Sequence, residues 1–189
     1  MPVLRWLRIF VPLLLVAVLV AGTVLVFTSR SDLQTSRRRV DDAWQPLSRS
    51  LADRYGALHT AYTAVNETPG PLKQIVHDVS SDYAHWRDLE EHDPGNVAAA
   101  VEAANALEAD GRRLVRAARV APRLEGDETA LSRVDAYAAR PLPESAAAFD
   151  EAVDQFEKLR ARPSYTLAAR ILGYDAIPDF DTTGSVRPS

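Results

Sequence analysis

A chain of 189 residues with no cysteine has room for one domain plus an appendage, and it excludes disulfides, thiolate metal sites and thiol nucleophiles. Its net charge of −4 is unevenly spread: residues 1–40 carry six Arg against one Asp, and residues 41–189 carry 16 basic against 25 acidic side chains. An acidic main body is unsuited to general nucleic-acid binding, which rests on neutralising phosphates. Abundant alanine and scarce glycine lean towards helix.

In chain order, the first element is an uncharged run, residues 9–28 (IFVPLLLVAVLVAGTVLVFT). About 20 such residues at 1.5 Å each cover the roughly 30 Å hydrocarbon core of a bilayer. Arg5, Arg8 and Arg30 flank it, and Trp6 and Phe27 suit interfacial depths. A cleaved signal peptide would have a shorter apolar core closed by a small-x-small site, and none follows Val26. The expectation is a retained membrane anchor in residues 1–30 that meets the lipid bilayer through residues 9–28. Arg30 and the run Arg37, Arg38, Arg39 outnumber the two arginines before the span, so the positive-inside rule leans towards a cytosolic domain.

The next stretch, 39–65, organises the rest of the chain. Its apolar residues, Val40, Trp44, Leu47, Leu51, Tyr55, Leu58, Tyr62 and Val65, are all spaced by four or three. That puts them on one stripe of a helix, with Asp42, Arg49, Asp53, Arg54 and His59 on the face expected in water. The helix should begin near Ser31, and the unchanged register through Pro46 predicts a kink rather than a break. Residues 66–71 (NETPGP) stop it.

A second helix is expected from Leu72 to about Glu91, with Leu72, Val76, Val79, Tyr83 and Trp86 on its stripe. Asn96 should cap a third helix, Val97 to about Val120, with Val97, Val101, Ala104, Leu107, Leu114 and Ala118 inward. The many alanines of this helix imply close approach to a neighbour, and Gly111 suggests a tight crossing. A shorter fourth helix follows Gly126 and Asp127, with Leu131, Val134 and Tyr137 inward. A fifth spans about Glu144 to Arg162, with Phe149, Val153, Phe156 and Leu159. Pro163 restarts a short sixth helix, Tyr165 to Leu172, closed by Gly173. Leu167, Ile171, Tyr174, Ile177 and Phe180 are too apolar for a free tail and should pack across one end of the bundle. Residues 182–189 have nothing to bury and should be disordered. The fold expected is all-α: an N-terminal transmembrane helix, then an antiparallel, four-helix-bundle-like domain over residues 31–181.

Two segments carry a family resemblance. Val40-Asp41-Asp42-Ala43-Trp44, then Leu51 and the pair Arg54-Tyr55, form one. The other is Phe149 to Tyr174, with Pro163-Ser164, Leu167-Ala168 and Gly173-Tyr174, and with Phe149-Asp150 and Phe156-Glu157 where Tyr-Asn pairs stand in the family. Together they resemble the LemA family of membrane-anchored bacterial helical proteins. The resemblance implies one N-terminal span, a short outer N-terminus and a helical bundle inside; it implies no particular activity.

Chemistry offers little to build on. Asp78, Asp82 and His85 share one face of the second helix, and Asp82-x-x-His85 is half of a di-metal bundle motif. No second copy exists and the face lies off the apolar stripe, so no metal is expected there, and none at His59, His77 or His92. A nucleophile elbow and phosphate-cradling glycine loops are both missing. No catalytic residue, cofactor or metal site is therefore expected, and the chain does not read as an enzyme. Arg112, Arg116, Arg119 and Arg123 form a basic stripe that suits a helix C-terminus, with Glu108 in reach of Arg112. The aromatic residues could line a ligand pocket, although core is the simpler assignment. The leading expectation is a membrane-tethered interaction or scaffold protein of the cell envelope with protein partners; the alternative is a sensory or ligand-binding bundle.

Overall fold

A computed structural model describes residues 3–67, 72–121 and 128–181, with side chains from residue 29 onward. These residues form six helices and no strand: α1 (Val3–Glu67), α2 (Lys73–His92), α3 (Val97–Arg119), α4 (Glu128–Ala138), α5 (Ser145–Arg160) and α6 (Pro163–Leu172). The chain is all-α and bundle-like. The expected stops after Glu67 and before Glu128, and the expected tail at 182–189, lie partly or wholly outside the described residues.

The long first helix is continuous through Pro46, as the register required. All eight residues of its stripe are buried, none more than 8% exposed. Each large apolar side chain so buried stabilises by roughly 1.5–3 kcal/mol. Aromatic contacts seat the neighbouring helices on this stripe. Trp86 of α2 meets Tyr55 edge-on, with centroids 4.8 Å apart, and Phe149 of α5 lies 5.3 Å from Trp44. The Tyr55 hydroxyl donates to the Ala104 carbonyl of α3 at 3.1 Å, and Ser48 Oγ donates to Glu90 Oε2 of α2 at 2.5 Å. These aromatics pack on one another as core.

Helix ends follow local chemistry. The Asn96 side chain accepts from the Ala99 amide and caps α3. Gly173 ends α6 at φ 71°, a left-handed conformation that costs glycine nothing, and the Tyr174 amide donates back to the Ala169 carbonyl.

Contacts divide the chain into two compact units: the segment up to Arg39 with Gln155–Ala176, and Val40–Asp154 with the segment from Ile177. In the first, Leu33, Phe156, Ala168 and Ala169 are buried, Phe156 packs edge-on to Tyr174, and the Tyr165 hydroxyl donates to Asp32 at 2.7 Å. In the second, α2 to α4 and the first part of α5 pack with α1.

Three expectations need correction. Arg54 is buried rather than solvated. It forms an ion pair, described below, with Glu108, which also lies 3.8 Å from Arg112 as the i, i+4 spacing allows. The other two are on α6. Leu167 and Ile171 are exposed rather than packed, because α6 turns its small Ala168 and Ala169 inward instead. Ile177 and Phe180, by contrast, are buried as expected.

Candidate functional site

The strongest concentration of charge in the core lies where α1, α3 and α4 meet. Arg54 Nε donates to Glu108 Oε1 at 2.6 Å and Nη2 donates to Oε2 at 3.0 Å, a bidentate fork. Nη1 donates to the carbonyl of Arg140, just beyond α4. The guanidinium also lies over the Tyr137 ring, 4.6 Å from its centroid, where the ring face attracts cations. Arg140 returns a hydrogen bond of 2.9 Å to the Asp53 carbonyl, so α1 and the end of α4 are tied in both directions.

The electrostatics follow from burial. Burial opposes charge on Arg54, but the Glu108 carboxylate outweighs it and holds the guanidinium above its ordinary value. Burial and the neighbouring carboxylate both push the Tyr55 and Tyr137 phenols upward, so neither ionises in ordinary conditions. Arg112 approaches the same carboxylate at 3.8 Å and Asp181 at 3.9 Å. Each of the three Arg54 nitrogens already donates to an acceptor, and the Glu108 side chain is sealed from solvent. The arrangement therefore positions helices; it offers no open coordination place and no activated nucleophile.

Two residue positions could have revealed this pair. Leu47, Leu51, Arg54 and Leu58 follow the same four-three-four spacing as the apolar stripe, and Ala104, Glu108 and Gly111 do so on α3. Arg54 was assigned to water because its neighbour Tyr55 fills the stripe equally well; a helix this closely surrounded buries both positions.

Gly111 explains how α4 comes so close. A Cβ there would lie 3.0 Å from Tyr137 Cζ and 3.3 Å from Leu58 Cδ2 and would clash with the Tyr137 hydroxyl. Gly111→Ala should gain about 1 kcal/mol of helix propensity and lose about 1–3 kcal/mol to overpacking, a net loss. Gly56→Ala, with open space around it on α1, should stabilise by about 0.5–1 kcal/mol. Denaturant midpoints shifting the same way for both variants would refute the close crossing.

Of the residues singled out as possible metal ligands, Asp78 and Asp82 are half-buried on one face of α2. Asp78 is occupied by Arg113 at 3.1 Å and by Gln74 at 2.7 Å, and His85 is exposed. Asp82 titrates above its usual range, through partial burial and then the carboxylates of Asp110 and Asp78, against His85, which acts the other way. Among the described residues no group of three or more His, Cys, Asp or Glu is placed to hold a metal ion. A carboxyl raised in the fold stabilises fully below its unfolded value, and that stability is lost as pH rises through the raised value. Asp82→Asn should therefore raise the melting temperature at pH 7, with the gain shrinking towards pH 4. A gain independent of pH would contradict this.

The basic stripe on α3 divides. Arg112 turns inward to Glu108, Arg119 pairs with Asp135 of α4 at 2.9 Å, Arg116 is exposed, and Arg123 lies outside the described residues. His59 stacks on Tyr83, with centroids 5.1 Å apart. Among the described residues no helix is long and apolar enough to cross a membrane; the side chains of 9–28 lie outside them. Comparison of the chain with family models, with curated proteins and with solved structures gives no match.

Proposed function

We propose that this chain is a single-pass, membrane-tethered helical bundle that serves the bacterial cell envelope as an interaction or scaffold protein, with its bundle on the cytosolic side. Residues 9–28 are the tether. The observation that carries the reading is α1 itself: one helix of 65 residues begins with the uncharged run and ends as the helix on which the bundle packs. The arginines that follow the run favour the cytosolic side, and the resemblance to the LemA family agrees with both features. The buried ionic network of Arg54 and Glu108 is closed, which favours a positioning role over catalysis.

Membranes from cells expressing the full chain provide the test. After an alkaline carbonate wash the protein should stay in the pellet, and a variant lacking residues 1–30 should appear in the supernatant. Full-length protein released by the wash would refute the tether.

A further inference from the structure

α6 presents its apolar side chains outward. Of the three large hydrophobic residues exposed among the described residues, two are Leu167 and Ile171, at 58% and 63%. They stand i, i+4 on one face of α6, while the same helix buries only Ala168 and Ala169. Arg170 on the same helix and Arg162 at its N-cap are both exposed and add positive charge beside that face and at its end. A basic rim around an apolar stripe is the pattern of a helix that lies in a membrane interface.

The position of α6 supplies the occupant. Tyr165 donates to Asp32 of α1 at 2.7 Å. Asp32 lies just past Thr28, the end of the uncharged run, so its height above the hydrocarbon boundary is about 6 Å at 1.5 Å per residue. Headgroups occupy about that depth on each side of a bilayer.

Charge points the same way. The described part of this unit, residues 29–39 and 155–176, holds eight basic against three acidic side chains, a balance of +5. The other unit holds 12 basic against 23 acidic residues. Positive charge is thus concentrated where anionic headgroups would lie.

We propose that α6 is an interfacial helix that rests on the anionic bilayer in which the chain is anchored, with Leu167 and Ile171 inserted at headgroup depth. The proposal rests on residues 9–28 being the tether. It gives the first unit two membrane contacts, the span and α6.

The absence of native cysteine makes a direct test available. Full-length single-cysteine variants Leu19→Cys, Ile171→Cys and Ser50→Cys would be nitroxide-labelled and reconstituted in phosphatidylcholine–phosphatidylglycerol vesicles. Relaxation by oxygen and by a water-soluble nickel complex then reads each site. Leu19 reports the tether, and Ser50, exposed well beyond the span on α1, reports water. The expected result is an oxygen-to-nickel accessibility ratio at Ile171 several-fold above that at Ser50 and below that at Leu19. It should fall towards the Ser50 value in vesicles of phosphatidylcholine alone. If Ile171 matches Ser50 in both vesicles while Leu19 stays in lipid, the interfacial helix is refuted and the tether stands. Low accessibility to both reagents at Ile171 would mean that protein, a second copy included, covers this face, and would also refute it. A water-like reading at Leu19 would overturn the tether and the proposal together.

Discussion

Arg54→Ala is expected to lower stability by about 3–5 kcal/mol, the usual cost of removing one partner of a buried ion pair. The loss is large because Glu108, 0% exposed, keeps a charge that only Arg112 at 3.8 Å could then offset. Glu108→Ala should cost a similar amount, since it strands the Arg54 guanidinium under Tyr137. Arg54→Lys should recover little: an ammonium cannot reproduce the fork to both carboxylate oxygens or the ring contact. The decisive variant is Arg54→Met with Glu108→Leu. An apolar pair of similar volume leaves no stranded charge, so the double variant should be much more stable than either single alanine variant. Chemical denaturation of these variants in detergent, with Arg54→Ala/Glu108→Ala closing the cycle, gives the coupling energy. A double variant whose loss equals the sum of the single losses would show that the two residues act independently.

Removal of the chain beyond Ala176 has the second largest expected effect. Ile177 and Phe180 are buried, at about 1.5–3 kcal/mol each. The backbone there is also held by side chains. Asp150 accepts from the Phe180 amide at 2.8 Å, and Asn105 accepts from the Asp181 amide at 2.8 Å and donates to the Asp179 carbonyl at 2.9 Å. Loss of the segment should cost roughly 3–6 kcal/mol from apolar burial alone. It would also leave part-buried groups on Asp150 and Asn105 without their partners. Truncation after Asp181 should change stability by almost nothing, because TTGSVRPS has no apolar side chain large enough to anchor it. Equal melting temperatures for the two truncations would show that residues 177–181 contribute nothing. Asn105→Ala offers a milder check, with a loss of about 1–2 kcal/mol from the two backbone contacts.

The closed ion pair also bears on helix register. A buried polar group can hold helices in one register, since any other leaves charge unpaired. Here the fork ties α1 to α3, and the Arg140 exchange ties α1 to the end of α4. Together these contacts fix how α1, α3 and α4 meet within the second unit.

Helix placement was legible in the amino-acid sequence because its determinants are local. The four-three spacing from Val40 to Val65 forced one buried stripe, Asn96 capped α3, and Gly173 closed α6. Each needs only its own neighbours along the chain. The uncharged run at 9–28 and the acidic main body are likewise plain from composition. What the tertiary structure alone decided was which flanking positions are covered. Arg54 and Asp53 are adjacent on α1, yet only Arg54 faces the crossing of α3 and α4, where Gly111 lets Tyr137 close over it. Leu167 and Ile177 look equally apolar, yet Leu167 is exposed and Ile177 is covered. Periodicity states which residues share a face of one helix. Whether a neighbouring helix reaches that face at that height depends on crossing distances and loop paths, which arise only when the helices pack.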